Sequence, residues 1–180
     1  RAQFETNLFG WVELTNLILS AMRRQGYGRI IQNSSVLGFA AMPFRGAYNA
    51  SKYAVEGWSD TLRLELRGSG IFVSLIEPGP IITQFRANAM KAFERYIDVE
   101  RSVHREKYLA ILNRLNKPGP ATPFTLPPEA VLEKVIRALE AETPKARYYV
   151  TLPTHLFGFL KRILPVSMLD KILAKTGNDH

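Results

Sequence analysis

The sequence predicts an α/β protein that is built on a parallel β-sheet. A short β-rich segment at 29–33 is followed by a helical pattern over 47–67 and then by a continuous apolar run at 71–76. A strand, a long helix and a second strand form a βαβ crossover, in which the strands are parallel and the connection is right-handed. A continuous apolar strand is typical of a sheet that is covered on both faces. We therefore expect a doubly wound parallel sheet.

The segments on either side of this unit are also regular. Apolar residues at helical spacing predict a first helix over about 4–22, which the glycines at 26 and 28 end. Glycines at 68 and 70 end the second helix. The later elements are a helical, aromatic-rich stretch over 83–123 that breaks at 117–120, a helix from Pro127 to about 142, a strand over 147–151, and a basic helical tail over 155–175 that is interrupted at Pro165.

The predicted sheet is small for its class. Three strands are fewer than a doubly wound sheet usually has. The chain also starts with Arg1 inside a helical pattern. We therefore expect that residues 1–180 form the C-terminal part of a single domain and that its N-terminal strands are missing.

Composition excludes several classes of protein. The chain has no cysteine, which excludes disulfides and thiolate metal sites, and we expect no metal. We expect a cytoplasmic protein, because no apolar run is long enough to span a bilayer and the start does not resemble a signal peptide. The formal net charge is +8, but the basic residues are scattered and form no patch with interleaved aromatics. Nucleic-acid binding is therefore not expected.

One group of polar residues suggests proton-transfer chemistry. Tyr48 and Lys52 are four residues apart on one helix and so share a face. An ammonium beside a phenol favours the phenolate and lowers the tyrosine pKa. Ser35 follows a strand at the sheet edge where open α/β sheets bind ligands. Each feature has an ordinary alternative, a surface tyrosine beside a solvated lysine or a serine that only caps a turn. Their conjunction is more specific.

Three segments in order, 28–35, 48–52 and 78–83, resemble the signatures of the short-chain dehydrogenase/reductase family. The resemblance implies a Rossmann-like fold, here only its C-terminal half, and a cofactor that is NADP or NAD. It implies hydride transfer that interconverts an aldehyde or ketone and an alcohol. Ser35 would orient the carbonyl and Tyr48 would be the acid/base. Lys52 would lower the tyrosine pKa and hold the nicotinamide ribose.

The same resemblance implies further site residues. Asn7 matches the family asparagine that supports a water linking the lysine to solvent; the alternative is a polar residue on a helix. Pro78 and Gly79 begin a segment whose backbone at Ile81, with the Thr83 hydroxyl, would hold the nicotinamide carboxamide. A Pro-Gly turn would let a flat ligand approach the backbone closely. The alternative is an ordinary turn that ends a strand, which has the same sequence pattern. Ser34 rivals Ser35, but the family's 13-residue spacing to the tyrosine selects Ser35.

Two later regions are assigned by their position in the family. Residues 84–125 correspond to the substrate lid, and their aromatic content suits an apolar substrate; helices that only cover the core account for the same residues. The chain resembles, more weakly, the subgroup that reduces aldehydes, retinoids or steroid-like ketones. The tail over 156–180 could lie on a membrane surface as a basic amphipathic helix. We prefer packing over the substrate cleft or against a partner subunit.

The chain also departs from the family. It lacks the glycine-rich dinucleotide loop, the Asn-Asn-Ala-Gly stretch and the residue that selects NAD or NADP. We therefore expect the chain alone to bind NAD(P) too weakly to measure and to be inactive. The alternative is a non-catalytic oligomerisation or binding module that keeps the fold. Helices 4–22 and 47–67 are apolar on several sides, so we expect a homo-oligomer, a dimer, through them.

Overall fold

A computed structural model of the protein describes residues 1–116, 119–120, 122 and 124–178. A three-stranded sheet lies at its centre and helices cover both faces. In chain order the elements are α1 (Ala2–Phe4), a π-helical turn (Glu5–Phe9), α2 (Gly10–Gln25), β1 (Gly28–Asn33), a 3-10 turn (Val36–Gly38), α3 (Gly46–Glu65), β2 (Ile71–Glu77), α4 (Phe85–Tyr96), α5 (Arg105–Asn116), α6 (Glu129–Glu140), β3 (Arg147–Tyr149), α7 (Leu152–Ile163) and α8 (Val166–Asn178).

The sheet confirms the predicted parallel arrangement. The strand order is β1-β2-β3, and both neighbouring pairs are parallel. Asn33 pairs with Ile76, and the next amide, that of Ser34, donates a hydrogen bond of 2.8 Å to the Ile76 carbonyl. The carboxyl ends of β1 and β2 therefore meet at one edge of the sheet, where the predicted site residues follow the strands.

Helices cover the two faces of the sheet, as expected for a doubly wound fold. Successive residues of β1 point to opposite faces, so Ile30 packs with α3 while Ile31 packs with the group that includes α6. The first cluster consists of Ile30, Leu62, Leu66, Ile71 and Val73, and the second of Ile76, Ala138, Tyr148 and Val150. A third cluster joins α7 and α8 to the 3-10 turn: Val36, Leu37, Ala40, Phe157, Leu169 and Leu173.

Several predicted boundaries were wrong. The helical stretch over 83–123 is two helices, α4 and α5, because polar side chains bind backbone amides between them: Asp98 accepts from Arg101 at 3.3 Å, and Ser102 accepts from His104 at 3.1 Å. Residues 117, 118, 121 and 123 of that stretch lie outside the described residues. Strand β3 ends at Tyr149 rather than at 151, because the Thr151 carbonyl accepts from the Thr154 amide as α7 begins.

The two ends of the chain match the predictions in part. The first helix is longer than the predicted 4–22, and a π-helical turn at Glu5–Phe9 interrupts it, which the periodicity did not indicate. The tail breaks at Pro165 as predicted and forms α7 and α8, and its residues 179 and 180 lie outside the described residues. No helix in the described part of the chain is long and apolar enough to cross a bilayer.

Candidate active site

Ser35 lies between the ends of two neighbouring strands. It is 9% exposed and caps the 3-10 turn: its hydroxyl oxygen accepts from the Leu37 amide at 3.2 Å, and its carbonyl accepts from Gly38 at 2.8 Å. The Val36 amide donates to the Pro78 carbonyl at 2.8 Å, which joins the turn to the end of β2. Ser35 therefore forms the turn cap of the ordinary alternative, and its role at a carbonyl stays a prediction. Capping leaves its hydroxyl hydrogen free to donate to another group.

Tyr48 lies in the first turn of α3 and faces Ser35. The two hydroxyl groups interact, an interaction that lowers the pKa of Tyr48, and the charge of Arg45 lowers it further. The Tyr48 ring packs edge-on against the Phe85 ring, with 5.4 Å between the centroids. Burial is nevertheless the largest effect, so the pKa of Tyr48 is raised above its ordinary value of 10.0. The phenol therefore keeps its proton at neutral pH.

Lys52 is buried one helical turn after Tyr48. Its side chain is 5% exposed, and Nζ donates a hydrogen bond of 2.7 Å to the Asn33 carbonyl at the end of β1. The ammonium also lies 4.8 Å from the centroid of the Trp11 ring and 5.8 Å from that of Tyr48. Burial lowers the pKa of Lys52 to about 8, and the charge of Glu56 opposes this.

The pKa of Tyr48 is raised rather than lowered in this structure, and the role of Lys52 in lowering it stays a prediction. Burial raises the tyrosine pKa, and the opposing effects come from Ser35 and Arg45. The reason is geometric. The ammonium lies over the face of the phenol ring and donates to the Asn33 carbonyl rather than to the phenol oxygen.

Asn7 contacts α3 through Ser51. Its side-chain amide donates to the Ser51 hydroxyl at 3.0 Å, and that hydroxyl donates to the Tyr48 carbonyl at 2.8 Å. Asn7 lies within the π-helical turn Glu5–Phe9. Such turns change the pattern of backbone hydrogen bonds in a helix and are frequent at functional sites. The role of Asn7 at a water stays a prediction, since its hydrogen bond goes to Ser51 and not to Lys52.

Gly79 owes its lack of a side chain to protein packing. A Cβ at this position would overlap the hydroxyls of Thr151 and Thr154, which are 3.0 Å apart. Packing against the first turn of α7 therefore accounts for this glycine, and the close approach of a flat ligand to its backbone stays a prediction. Pro78 contributes through its carbonyl, which accepts from Val36.

The backbone of Ile81 remains available to a ligand. Ile81 forms a parallel bridge with Leu126, in which the Ile82 amide donates to the Leu126 carbonyl at 2.9 Å and the Leu126 amide to the Pro80 carbonyl at 3.1 Å. The amide and carbonyl of Ile81 itself then point away from Leu126, and neither has a hydrogen-bond partner among the described residues. The Thr83 hydroxyl oxygen accepts from the Phe85 amide at 3.2 Å where α4 begins, which leaves its hydrogen free to donate to a ligand.

The structure thus gathers Ser35, Tyr48 and Lys52 at one sheet edge, with Asn7 behind them. Sequence reasoning missed four of their neighbours: Trp11, Arg45, Ser51 and Phe85. Ser51 stands inside the 48–52 segment and could have been suspected from its place between the tyrosine and the lysine. Arg45 immediately precedes α3, three positions before Tyr48, whereas Trp11 and Phe85 come from α2 and α4, and no local spacing indicates the positions of these two. Within the described residues, no group of three or more His, Asp or Glu side chains could hold a metal ion.

The profile of the family described as short chain dehydrogenase matches residues 1–93, which include this whole group. The chain belongs to the short-chain dehydrogenase family. It is 49% identical over 171 residues to the Escherichia coli K12 protein named uncharacterized oxidoreductase YbbO, covering 95% of this chain and 57% of that protein. It is 36% identical over 179 residues to the NADPH-dependent 3-dehydrocapnine reductase of Ornithobacterium rhinotracheale, covering 97% of this chain and 61% of the reductase.

A solved structure of the short-chain dehydrogenase family supports the fold. The chain superposes on a short chain dehydrogenase from Burkholderia cenocepacia J2315, crystallised with NADP, with a TM-score of 0.68 and 21% identity. The match covers 96% of this chain and 58% of the other. The likeness confirms the Rossmann-like prediction. The chain spans less than two thirds of the length of each of these three proteins.

Proposed function

We propose that this chain is part of an NAD(P)-dependent oxidoreductase that interconverts an aldehyde or ketone and an alcohol. One observation carries the proposal: Tyr48 faces Ser35 at the carboxyl end of β1, and the Lys52 ammonium, one helical turn further on, donates to the Asn33 carbonyl at that same end. Open α/β sheets bind ligands at this edge. The oxidoreductase and reductase names of two relatives agree with it.

The two hydroxyls would act on one carbonyl oxygen. Ser35 orients and polarises that oxygen by hydrogen bonding, and Tyr48 gives it a proton as the alkoxide forms; oxidation of the alcohol reverses the transfer. The raised pKa of Tyr48 suits an acid that keeps its proton until negative charge develops on the substrate. Asn7 and Ser51 hold the first turn of α3, and therefore the phenol, in place.

The residues present fit the nicotinamide end of NADP or NAD. The Lys52 ammonium has three N–H donors, of which Asn33 occupies one, so two remain for the ribose hydroxyls. The unpartnered amide and carbonyl of Ile81 match the carbonyl and amino groups of a carboxamide. When bound, the cofactor supplies or accepts the hydride. The crystal structure with NADP supports this cofactor class.

The substrate that we propose is apolar. Phe85, the first residue of α4, packs against the Tyr48 ring, so the proposed lid touches the acid/base residue near its start. Phe44 packs on Tyr108 at 5.8 Å, and Phe93 packs on the same tyrosine at 5.4 Å, both edge-on. These rings present an aromatic surface beside the site, and the region 84–125 would close over an aldehyde or ketone with an apolar body.

Tyr48→Phe in the intact enzyme tests the proposal, and Tyr53→Phe is the matched control from the same helix. Reduction of a panel of aromatic aldehydes is followed by the loss of NADPH absorbance. Removal of the proton donor is expected to lower kcat by about a hundredfold or more, whereas Tyr53→Phe keeps its rate. Substantial turnover by Tyr48→Phe would overturn the acid/base role.

We also propose that two copies associate through α2 and α3. Large apolar side chains on these helices are exposed: Leu14 (58%), Leu17 (69%) and Leu64 (62%). This face also favours the second candidate function, an oligomerisation module without catalysis. Leu17→Glu is expected to lower the molar mass measured by light scattering, and an unchanged mass would exclude this face. A dimer without turnover of any aldehyde would favour the second candidate over the first.

A further inference from the structure

Helix α3 holds the segment that carries Ser35 at two successive turns. Lys52 donates to the Asn33 carbonyl, immediately before that segment. Glu56, one helical turn later and 7% exposed, lies against Gly38 at the far end of it. The lysine and the glutamate therefore contact the two ends of one short segment, and the serine hydroxyl stands between them.

The contact between Glu56 and the turn is close. A Cβ at Gly38 would lie 2.9 Å from Cγ and 3.0 Å from Oε1 of Glu56, so only glycine leaves room for this carboxylate. Such a Cβ would also lie 2.5 Å from the Ser34 hydroxyl oxygen. Oε1 is buried and forms no hydrogen bond within the part of the chain that the structure describes. Its position under the turn therefore depends on whatever holds the rest of the glutamate side chain.

Arg147 of β3 holds that side chain. Its Nη2 lies 3.2 Å from Oε2 of Glu56 and 2.7 Å from Oδ2 of Asp60, and its Nε lies 3.0 Å from Oε1 of Glu77. The guanidinium thus ties α3 to the ends of β2 and β3. A planar group with fixed donors is suited to holding several carboxylates in one geometry. Asp60 shares Arg147 with Glu56 but is more exposed, and it is not among the atoms near Gly38.

We propose that Glu56, held by Arg147, is a positioning residue: it supports the turn that carries Ser35, and its negative charge stabilises the Lys52 ammonium. The inference rests on the proposed function of Ser35 and Lys52. Glu56 would touch neither the substrate nor the cofactor, and it would act through these two residues. A neutral side chain of the same shape should keep the helix but lose the electrostatic effect.

The charges around Glu56 agree with this role. Lys52 and Asp60 face it from α3, Arg147 from β3, Glu77 from β2 and Lys161 from α7. Burial and the charge of Glu56 raise the pKa of Glu77 to about 9, so Glu77 is neutral at neutral pH. The charge of Glu56 raises the pKa of Lys52 and so works against burial.

The test compares Glu56→Gln with Asp60→Asn in the intact enzyme, after thermal unfolding has verified that both fold. The Lys52 ammonium is titrated by nitrogen–proton NMR, with Lys52→Met to assign its signal. In Glu56→Gln the titration midpoint is expected to move to lower pH, because the neighbouring negative charge is gone. The alkaline limb of kcat should move in the same direction, and kcat should fall roughly tenfold with little change in the KM of the carbonyl. Asp60→Asn should resemble the wild type.

Gly38→Ala tests the same contact without a change in charge. The added methyl group displaces the turn from the carboxylate, so kcat should fall while the Lys52 titration stays in place. Wild-type titration and kcat in Glu56→Gln would overturn the inference, and so would equal effects in Asp60→Asn. Either of these two outcomes, for Glu56→Gln or for Asp60→Asn, leaves the proposed function intact if Tyr48→Phe is inactive. Conversely, an active Tyr48→Phe refutes the proposed function, while the Lys52 titration still decides whether Glu56 acts on the lysine.

Discussion

Lys52→Met is expected to remove one specific pH dependence of the unfolding free energy and to leave the stability at neutral pH little changed. The ammonium is 5% exposed, and burial lowers its pKa from 10.5 to about 8. A change of this size corresponds to about 3 kcal/mol of unfolding free energy that the charged lysine costs. Methionine fills a similar volume without charge. It loses the hydrogen bond to Asn33, which offsets about 1 kcal/mol, and the contact with Trp11, which offsets up to about 2 kcal/mol.

The pH dependence follows from the direction of the shift. Below pH 8 the lysine is protonated in both the folded and the unfolded chain, so the whole cost is present. Between pH 8 and pH 10.5 only the unfolded chain keeps the proton, so the folded wild type gains stability as the pH rises. Relative to the wild type, the stability of Lys52→Met should therefore fall by about 3 kcal/mol across this window.

Urea unfolding followed by circular dichroism measures this difference at a series of pH values. Lys91→Met, at an exposed position on α4, controls for the removal of a positive charge. Subtracting each variant from the wild type removes the effects of other titrating groups. A difference between the wild type and Lys52→Met that is constant from neutral to alkaline pH would falsify the reasoning, because it would mean that the lysine has an ordinary pKa in the folded protein.

Three further perturbations test single features of the structure. The wild type should lose stability as the pH rises from 4.5 to about 9, because the buried Glu77 carboxyl keeps its proton in the folded state only, and Glu77→Gln should remove this loss. An unfolding free energy, measured with urea, that changes with pH equally in both proteins contradicts this. Phe85→Ala exposes Tyr48 and should lower its pKa, read by ultraviolet titration against Tyr48→Phe; an unchanged midpoint argues against burial as the cause. Gly79→Ala should destabilise by about 1–3 kcal/mol through overlap with threonine hydroxyls, whereas Gly46→Ala, with nothing near its Cβ, should not; equal melting temperatures refute the packing argument.

The sequence predicted the elements that local pattern determines. The helix expected over 47–67 is Gly46–Glu65, and the strand expected over 71–76 is Ile71–Glu77. Both follow from periodicity and from the turn residues between them. The positions of Tyr48 and Lys52 on one face followed from helical spacing alone. Contacts between distant segments could not be predicted from local sequence pattern. Arg147 is 91 positions from Glu56, and no pattern within either segment indicates their ion pair.

The direction of the Tyr48 pKa shift shows that the spacing of residues in a sequence motif does not determine the conformation or the burial of their side chains. Spacing places an ammonium one turn from the phenol, and the simplest electrostatics then lower the tyrosine pKa. The conformation of the lysine side chain decides otherwise, because its Nζ reaches the Asn33 carbonyl and lies over the ring face. Burial, which depends on Phe85 and the rest of the tertiary packing, then controls the phenol. Neither quantity can be read from the residues at 48–52.

The face of α3 that meets the end of β1 is not one that stability alone would select. Tyr48, Lys52 and Glu56 occupy it at successive turns, and burial opposes the charge of the lysine there and of a phenolate. An apolar helix face would pack at the same edge without the cost of a buried ammonium. Ionisable groups with pKa values shifted by burial cluster where chemistry requires them. The placement of Tyr48 and Lys52 against the segment that carries Ser35 therefore supports the proposed proton transfer, and an ordinary pKa of Lys52 in the folded protein would be the result that reverses this argument.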